Sequence, residues 1–556
     1  MDNQRLLLFV ALSLVLMLLF SAWQEQNAPA PAEQQTGLTS ADPSAPSVAP
    51  SPPADGPSIL PAERPAVVES STALAAIGSQ HILVETDVLR VEINTAGGEV
   101  SRAALLKYPW TMDDPEPVQL LDNRLPNLFI AQSGLVSSEG SAPDHHALYQ
   151  AEKTEYRLGA GEDSLTVRLN WQSEDGVSVV KTLTFHRDSY VIDVDFEVTS
   201  ADKPWKGRAY EQLQRTKVAE RGQSTFIYTF MGGVVSSEWD PYEKIHFDDM
   251  ASWKPEQSYS RGGWVAMLQH YFFSAWIPDS DAPSHFYTKA LADGRYMIGR
   301  SGAEQAVHAG DTAHFHSRLF VGPKVQERLE KIAPNLRLSV DYGVLDILAK
   351  PVFWLLDHIH TLVGNWGLAI ILVTLVIKLL FYKLSQASYR SMAKMRQFAP
   401  RMKELKERYG DDRQKFSQAM MEIYKKEKIN PLGGCLPMLV QIPVFIALYW
   451  VLLESVELRQ APFMLWIQDL STKDPYYVLP VIMGLSMFIQ QKLNPPPLDP
   501  IQQKIMSFLP LLFTVFFAFF PSGLVLYWVV NNLLSIAQQW YITRQIEDQA
   551  AGKGKT

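Results

Sequence analysis

The chain has 556 residues, of which 47% are hydrophobic and 20% are charged, and its formal net charge at pH 7 is −9. A chain of this length can hold several domains, and its mean hydropathy of −0.06 indicates a mixture of membrane segments and soluble segments. The single cysteine, Cys435, excludes an intramolecular disulfide framework.

The first element in chain order is an apolar run at residues 6–23. A helix of this length extends about 27 Å, which is enough to cross the hydrocarbon core of a bilayer. A cut after Ala22 would place the bulky Phe20 at the −3 position, where a small residue is required, so residues 1–23 are predicted to be an uncleaved signal anchor. Residues 24–79 are rich in proline, alanine and serine and are predicted to form a disordered tether.

A period of two begins near residue 80. In one example Leu89, Val91 and Ile93 alternate with charged or polar residues. Alternation of this kind is typical of strands with one buried face, and no helical period interrupts it over about 250 residues. Residues 80–340 are therefore predicted to form one large all-β domain, an antiparallel β-sandwich whose core is stable without disulfides.

Helical patterns follow the β-domain. Residues 341–360 mix large apolar side chains with charged ones and are predicted to form an amphipathic helix at the membrane interface. The apolar block at residues 505–541 would extend about 55 Å as one helix, which is too long for a bilayer, and a break at residues 520–523 divides it. The predicted transmembrane helices of this region are residues 361–382, 431–454, 476–491, 505–520 and 523–541.

The distribution of positive charge predicts the orientation of these helices. The loop at residues 383–430 is rich in lysine and arginine and is predicted to be cytoplasmic, as are the loop 492–504 and the basic tail 542–556. The loop 455–475 and the β-domain then lie on the opposite side of the membrane. With the N-terminal anchor, the chain is predicted to be a polytopic α-helical membrane protein with six transmembrane helices, five of them in its core.

A lysine within an apolar stretch is the most unusual feature of these helices. A charge in that position costs on the order of 3 kcal/mol, and the simplest interpretation is a flexible side chain that reaches the nearby interface. Other polar groups on the helices must face protein or water, so together they would line a hydrated groove, or singly they would hold helices together. The candidates for the groove are Lys378, Thr374, Gln441, Tyr527, Trp528, Asn531 and Asn532.

The cytoplasmic loop 383–430 is predicted to fold as a helical hairpin of two charged amphipathic helices. Its methionine side chains are flexible and polarizable, as suits a surface that contacts varied apolar partners, and packing of the two helices is the simpler interpretation. These methionines are Met392, Met395, Met402, Met420 and Met421. The basic residues of the loop would contact anionic lipid or ribosomal RNA, or would only set the topology.

Three long motifs occur in order: NPLGGCLPMLVQIPVFIALYW at residues 430–450, SVELRQAPFMLWIQDLS at residues 455–471 and FPSGLVLYWVVNN at residues 520–532. Through them the sequence from about residue 341 to about residue 541 resembles the YidC-type membrane protein insertases of bacterial inner membranes. The anchor, tether and β-domain resemble the Gram-negative branch of that family. For this branch the resemblance implies a periplasmic β-supersandwich similar to sugar mutarotases, without enzymatic activity.

The resemblance also implies a function. Members of the family insert and fold inner-membrane proteins through a hydrophilic groove open to the cytoplasm and the lipid, without nucleotide hydrolysis, cofactor or metal. The implied partners are nascent inner-membrane proteins, the Sec translocon with its accessory proteins, membrane lipids and, transiently, the ribosome and the targeting machinery. The protein is expected to act as a monomer, in the inner membrane, with both termini in the cytoplasm.

Site residues follow from the same resemblance. In the family a positively charged residue of the first core helix lies in the groove, and Lys378 matches it, where many members carry arginine. Lysine keeps the charge and loses the planar fork that binds a carboxylate through two hydrogen bonds. Gln441 matches the groove glutamine and Thr374 its polar neighbour. Tyr527 and Trp528 match an aromatic pair, although many relatives have tyrosine at the position of Trp528.

Two other classes of protein stay open from the residues alone. A small-solute transporter would have a binding site near the bilayer midplane and often inverted repeats, whereas this sequence shows no repeat and only an off-centre charge. A membrane-anchored periplasmic carbohydrate-binding protein or enzyme would need carboxylates at a fixed separation in the β-domain, which a sequence cannot place. No phosphate-binding loop precedes a helix, which argues against an ATP motor.

Overall fold

The computed structural model describes residues 79–217, 229–255, 257, 259–279, 281–409, 412–426, 436–494 and 500–553. The predicted anchor at residues 1–23 and all but the last residue of the predicted tether lie outside the described residues. Contacts divide the chain into two compact units, a β-unit that ends at Val340 and a helical unit that begins at Asp341.

Twenty strands form two sheets within the described part of the β-unit. They are β1 His81–Glu85, β2 Leu89–Asn94, β3 Glu99–Pro109, β4 Pro117–Leu121, β5 Phe129–Glu139, β6 Gln150–Ala151, β7 Glu155–Arg157, β8 Ser164–Gln172, β9 Val177–His186, β10 Val191–Ser200, β11 Trp205–Thr216, β12 Gly232–Ser236, β13 Glu243–Ile245, β14 Ser260–Arg261, β15 Trp264–Leu268, β16 Phe272–Pro278, β17 Pro283–Ala290, β18 Arg295–Ser301, β19 Gln305–Val307 and β20 Thr312–Pro323. A short helix, α1 (Gln326–Ile332), follows them.

The first sheet has the strand order β14-β17-β18-β11-β5-β3-β2-β1-β7, with β19 paired to β11 and β4 paired to β3. The second has the order β13-β12-β15-β16-β20-β10-β9-β8-β6. Strands β1 and β7 pair in parallel, and the other pairings within the described residues are antiparallel. The predicted β-sheet-rich domain is therefore confirmed.

The alternation seen in the sequence builds the core between these sheets. On β10 every second residue from Ile192 to Val198 is buried, and the large indoles of Trp205, Trp264 and Trp276 are almost completely buried as well. Aromatic side chains of this size contribute much of the apolar surface removed from water in a domain core. The core therefore has the bulk that a disulfide-free domain requires.

A buried lysine interrupts this apolar core. Lys181 of β9 is 1% exposed, and its ammonium donates hydrogen bonds to the carbonyl oxygens of Gly97 (2.9 Å) and Ser133 (3.2 Å). Burial lowers the pKa of Lys181 to about 7, against the attraction of Glu99 and Glu211. Burial also raises the pKa of both carboxyl groups, because a charged carboxylate loses its water there.

The helical unit begins with α2 (Asp346–Val363), later in the chain than the predicted 341–360. The helix ends at Gly364, whose φ of 66° stops it, and the Asn365 side chain then accepts a hydrogen bond from the Leu368 amide to begin α3 (Trp366–Leu380). Residues 361–363, which the sequence had placed in the span 361–382, therefore belong to the preceding helix.

Seven helices follow α2 in the described residues. Besides α3 they are α4 Tyr382–Tyr409, α5 Arg413–Lys426, α6 Leu436–Glu454, α7 Val478–Leu493, α8 Pro500–Phe517 and α9 Ser522–Lys553. Helix α8 begins five residues before the predicted span because Pro500 is favourable at the first helical position. Helix α9 continues through the predicted tail because no proline or glycine lies between Leu524 and Ala551.

The lengths of the helices support membrane crossing only in part. Among the described residues no single helix is both long enough and apolar enough to cross a bilayer alone. Helix α3 together with the first part of α4 meets the requirement by length and composition, with a bend of 68° between the two. Shorter apolar helices occur at Val440–Glu454, Val478–Leu493 and Gln503–Phe517. The count of six transmembrane helices therefore stays a prediction.

The helical unit exposes many large apolar side chains and buries several polar ones. Its exposed side chains include Leu379, Val481, Leu485, Phe508, Leu511 and Val515, whereas its buried ones include Thr374, Ser486, Asn531, Asn532, Ser535 and Gln539. A soluble helical bundle has the opposite distribution, since burial of apolar surface drives its folding. This distribution suits a bundle surrounded by hydrocarbon, in which polar groups must find partners inside the protein.

Helices α7 and α8 pack closely at a glycine. A Cβ atom added to Gly484 of α7 would overlap the Thr514 hydroxyl of α8. We expect Gly484→Ala to lower the free energy of unfolding by about 1–3 kcal/mol, the usual cost of overpacking a close contact. Thermal unfolding in detergent measures this change.

The matched control uses the partner side chain. Thr514→Ala in the Gly484→Ala background removes the overlapping hydroxyl and should restore most of the lost stability, while Thr514→Ala alone reports its own effect. A Gly484→Ala variant as stable as the original protein would show that the two helices are farther apart than the structure places them.

Candidate functional site

Lys378 meets a hydroxyl group of the last helix. Its ammonium on α3 donates a 2.7 Å hydrogen bond to Ser535 Oγ on α9, and the Ser535 hydroxyl donates to the Asn531 carbonyl oxygen at 2.7 Å. Within the described residues Lys378 makes no ion pair with a carboxylate. The lysine is thus half-buried in the bundle, held by a neutral partner, with its charge left uncompensated.

Two adjacent asparagines connect α9 to other helices. The Gln441 side-chain amide of α6 donates a hydrogen bond to Asn531 Oδ1, and the Asn532 amide donates to Ser486 Oγ on α7 at 3.1 Å. Asn531 is 6% exposed and Asn532 is 3% exposed. Ser535 therefore connects Lys378 to Asn531, and Asn531 in turn contacts Gln441. Asn532 contacts a different helix, α7.

Thr374 has a local role in this structure. Its hydroxyl donates a 2.6 Å hydrogen bond to the Ile370 carbonyl oxygen one turn earlier in α3, and its side chain is 1% exposed. The hydrogen bond within the helix already satisfies this hydroxyl. Although Thr374 precedes Lys378 by four residues, the structure does not bring its hydroxyl to the polar contacts of the lysine.

The predicted aromatic pair forms a cluster with α6 and α8. Phe445 of α6 lies 6.0 Å from Tyr527 and 4.9 Å from Trp528 between ring centroids, and Phe517 of α8 lies 5.7 Å from Trp528. Tyr527 is 1% exposed. The buried indole N–H of Trp528 has no hydrogen-bond partner in the described part of the chain, so it is a free donor inside the bundle.

A small recess, partly open to solvent, lies beside Lys378. Polar atoms of Lys378, Ser385 and Gln441 meet apolar walls there, and the residues around the recess are Ile377, Lys378, Phe381, Leu384, Ser385, Val440 and Gln441. Helices α3, α4 and α6 thus contribute to one opening. Water would find hydrogen-bond partners there next to apolar side chains.

Three serines in these contacts are absent from the predicted set. Ser535 holds the lysine, Ser486 holds Asn532, and Ser385 borders the recess. The signal for Ser486 and Ser535 is the one that identified the asparagines, a polar residue within an apolar span. Ser385 lies beyond the bend at Phe381, so its position next to Lys378 depends on the fold of the chain and not on the spacing along it.

The methionines of the hairpin divide into two groups. Met402 of α4 is 6% exposed, and its sulfur accepts a 3.6 Å hydrogen bond from the Tyr424 hydroxyl of α5. This contact packs the two helices together. Met421 is 44% exposed, and Met392, Met395 and Met420 are half-buried. The exposed thioether of Met421 is thus available to an apolar partner.

Comparison with known proteins identifies the family. Residues 81–355 match a family model described as the YidC periplasmic domain, and residues 358–549 match one described as the 60Kd inner membrane protein. A membrane protein insertase YidC of Alkalilimnicola ehrlichii is 54% identical over 556 residues, which cover 100% of this chain and 97% of that protein. The chain belongs to the YidC family of membrane protein insertases.

Other YidC relatives agree over the whole chain. The membrane protein insertase YidC of Thioalkalivibrio sulfidiphilus is 52% identical and covers 100% of each chain. That of Methylococcus capsulatus is 53% identical and covers 99% of this chain and 100% of the relative. YidC relatives are inner-membrane insertases and not known enzymes, so membership favours the insertase prediction over the transporter and carbohydrate-binding alternatives.

Two solved structures show similarity as well. A crystal structure of an active YidC insertase with its first transmembrane domain resolved has a TM-score of 0.38 and 18% identity, and covers 83% of this chain and 92% of that chain. A galactose mutarotase related enzyme from Lactobacillus acidophilus has a TM-score of 0.28 and 11% identity, and covers 44% of this chain and 97% of that chain.

Proposed function

We propose that this YidC-family chain inserts membrane proteins through a hydrated groove in which Lys378 is the central charge. The observation that supports the proposal is a lysine in an apolar bundle that contacts a serine hydroxyl and borders a recess open to solvent, without an acidic partner in the described residues. A charge kept in such a place at this cost is expected to have a function. An acidic segment of a substrate supplies the counter-charge that the described residues do not provide.

The groove acts by lowering a barrier. Lys378 and Gln441 hold water part-way into the bilayer, so the polar tail of a substrate crosses a shorter stretch of hydrocarbon. The substrate helix moves at the same time into lipid, where burial of about 20 apolar residues drives the reaction. A membrane potential of 100 mV adds about 2.3 kcal/mol for each acidic charge that moves outward. No covalent step and no nucleotide is involved.

The aromatic cluster has a role beside the lysine in this proposal. The buried indole N–H of Trp528 lies near Phe445 and Tyr527 and has no partner in the described residues, so it would donate a hydrogen bond to a carbonyl group of a segment that enters this cluster. The surrounding rings contact the apolar side chains of the same segment. Asn531 connects this cluster to Gln441 and, through Ser535, to Lys378.

The proposed topology has six transmembrane helices, with both termini in the cytoplasm and the β-domain in the periplasm of a Gram-negative inner membrane. Exposed apolar side chains on α3, α7 and α8 support contact with lipid. The many lysine and arginine residues of α4 and α5 support a cytoplasmic hairpin. The bent pair of α3 and α4 places the end of one span and the start of the hairpin next to the recess.

The proposed partners follow from the family and from the groove. They are nascent inner-membrane proteins as substrates, membrane lipids, the Sec translocon with its accessory proteins and, transiently, the ribosome and the targeting machinery. The exposed Met421 supports a contact of the hairpin with an apolar segment of such a partner. The chain is proposed to act as a monomer, alone or with the translocon, and without a cofactor.

Autonomous insertion is tested with purified components. The full chain is reconstituted into liposomes without nucleotide, and a short newly made membrane protein is added. We expect protease to leave a protected fragment of the substrate in amounts well above those from empty liposomes, because the groove lowers the barrier for its polar tail. A potential that is positive in the liposome lumen, into which the tail moves, should increase the protection of a substrate with an acidic tail.

This test has two controls. In the first, liposomes contain the chain in a confirmed orientation and receive no substrate. In the second, the substrate is added to empty liposomes of the same lipid. Protection equal to that of empty liposomes would contradict autonomous insertion. The proposed function would then be limited to work that requires the translocon.

A further inference from the structure

The loop between α6 and α7 contacts the first turns of three helices. We call residues 459–474 of this loop the clasp. The Asn365 side-chain amide, at the start of α3, donates hydrogen bonds to the carbonyl oxygens of Pro462 (3.3 Å) and Phe463 (2.9 Å). A Cβ atom on Gly367 would overlap the Phe463 ring, so the clasp and α3 are in close contact there.

A buried carboxylate fastens the clasp to α7. Asp474 is 1% exposed, and its Oδ1 accepts hydrogen bonds from the Trp466 indole (3.0 Å) and the Tyr476 amide (3.0 Å). Its Oδ2 accepts from the Leu479 amide in the first turn of α7 at 2.7 Å. One side chain thus joins the middle of the clasp to the start of a helix.

The clasp also holds the start of α9. The Ser522 amide donates to the Thr472 carbonyl oxygen at 2.7 Å, and the Gly523 amide donates to the Leu470 carbonyl oxygen at 2.9 Å. The Ser522 hydroxyl donates to the Asp469 carbonyl oxygen at 2.9 Å. Because amides at a helix start lack partners within the helix, these bonds satisfy α9 with carbonyl groups of the clasp.

Backbone strain occurs within the clasp and just after it. Gln460 and Leu465 of the clasp have φ angles of 59° and 55°, and Tyr477, just before α7, has a φ of 57°, in the left-handed region that side chains other than glycine rarely adopt. Residues in such conformations persist where the surrounding structure fixes them, and they occur often at functional sites. The clasp has therefore a defined conformation that ordinary helix capping does not require.

Lys378 on α3 and Ser535 on α9 lie equally far along their helices from the clasp. Lys378 lies thirteen residues after Asn365, and Ser535 lies thirteen residues after Ser522. Both helices begin at the clasp, and thirteen residues of helix rise about 20 Å. The clasp fixes the two helices at one end, and the 2.7 Å bond between Lys378 and Ser535 joins them again at the same distance from the clasp, near the end of α3 and within α9.

We propose that the clasp is a positioning element for insertion, and that Asn365 and Asp474 are positioning residues that set the place of Lys378 in the groove. The proposal rests on the proposed function of Lys378. With the clasp closed, α3, α7 and α9 are held together at the end away from Lys378, and the bundle opens to a substrate only at the recess. With the clasp loosened, α3 shifts against α9 and the lysine loses its fixed position.

The Asn365→Asp variant removes the hydrogen bonds of this residue to the clasp and keeps its role as the N-cap of α3. Aspartate still accepts the hydrogen bond from the Leu368 amide and caps α3 as well as asparagine does. It has no N–H group for the Pro462 and Phe463 carbonyl oxygens and repels both of them.

A second variant, Asp474→Asn, keeps the side-chain volume and turns an amide N–H toward the Leu479 donor. Ser507→Ala, at an exposed position of α8, is the control.

The readouts are insertion and helix position, both measured on the full chain. Insertion into liposomes is compared for two substrates that differ only in an acidic or a neutral tail. Spin labels at Leu380 and Tyr541, which are 76% and 51% exposed, report the distance between α3 and α9 in a Cys435→Ser background. A mere loss of stability would lower insertion of both substrates alike. A displaced lysine would lower insertion of the acidic tail more.

We expect Asn365→Asp and Asp474→Asn to broaden the distance distribution and to reduce insertion of the acidic-tailed substrate by about tenfold, a factor that corresponds to about 1.4 kcal/mol. Insertion of the neutral-tailed substrate should fall by less than about twofold. Unchanged distances, or an equal loss for both substrates, would overturn the proposal. If the labelled wild-type chain inserts neither substrate, the proposed function fails first and this proposal falls with it.

Discussion

Lys378→Ala will reduce the insertion rate of a substrate with an acidic tail by about tenfold or more, because the variant removes the positive charge that borders the recess in the described part of the chain. Two unit charges about 4 Å apart interact by about 4 kcal/mol at the effective dielectric constant of a partly solvated site, which is more than enough for this factor. The Ser535 hydroxyl that holds the ammonium stays in place in the variant. Insertion is measured as protease protection in liposomes that contain only the purified chain.

Three comparisons isolate the charge. Lys378→Arg keeps the charge and should insert the acidic-tailed substrate at nearly the original rate. Lys492→Ala removes an exposed lysine at the corresponding end of α7, where its ammonium lies over the Phe488 ring, and should have little effect. A substrate with a neutral tail should be far less sensitive to Lys378→Ala. If Lys378→Ala inserts the acidic tail as well as the original chain does, the groove acts through hydration alone.

The contribution of Lys181 to the stability of the β-unit will increase as the pH rises from about 7 toward 10.5. The pKa of Lys181 is lowered from 10.5 to about 7 by burial, so over this range the unfolded chain binds a proton that the folded chain has released. The free energy of unfolding therefore rises with pH there and is lowest below pH 7. A shift of this size corresponds to about 5 kcal/mol.

Lys181→Met tests this pH dependence. The variant has no titrating group at the position, so its stability should lack the increase above pH 7, and its stability relative to the original chain should fall as the pH rises. Urea unfolding of the full chain in detergent, followed by the near-ultraviolet circular dichroism of the buried tryptophans, measures both curves. Lys203→Met replaces an exposed lysine and should leave the slope unchanged. Parallel curves for the original chain and Lys181→Met would show that the lysine stays charged in the core.

The acidic neighbours of Lys181 change the stability in a lower range of pH. The raised pKa values of Glu99 and Glu211 mean that the folded chain holds more protons than the unfolded chain just above pH 4.5. Their contribution to stability therefore falls as the pH rises through that range. The comparison between Lys181→Met and the original chain is accordingly made above pH 7.

Local patterns predicted a β-sheet-rich region followed by a helical region, as the structure has them. The period of two on β9 places Lys181 among inward-facing residues with Val179 and Leu183, so its burial follows from the strand itself. Its partners, Gly97 and Ser133, come from distant parts of the chain. A sequence shows that a lysine faces inward and does not show which groups receive it, since that depends on the packing of two sheets.

The helical site shows the same division. Lys378, Gln441 and Asn531 stand out in the sequence because each is polar within an apolar span, and the structure joins them through Ser535. The i and i+4 spacing of Thr374 and Lys378 predicted a shared role, but the Thr374 hydroxyl binds its own backbone. Local hydrogen bonding of this kind competes with contacts between helices, and spacing alone cannot decide between them.

The contacts of the clasp were beyond prediction for a different reason. Asn365 and Ser522 donate to backbone carbonyl groups of the clasp, and Asp474 accepts from backbone amides. Nearly every residue type offers both groups. The break at Phe381 and the continuation of α9 to Lys553 are likewise set by packing and by the absence of a helix breaker.

Helix α9 runs without a break from Ser522 to Lys553, which is about 48 Å of helix. A helix of this length is a stiff rod, so a rotation of its last turns also turns Ser535 and reaches Ser522. A partner that binds the carboxyl end of α9 can therefore shift the Ser535 hydroxyl that holds Lys378. By thermodynamic reciprocity, a substrate that draws Lys378 away from Ser535 changes the affinity of that partner by the same factor.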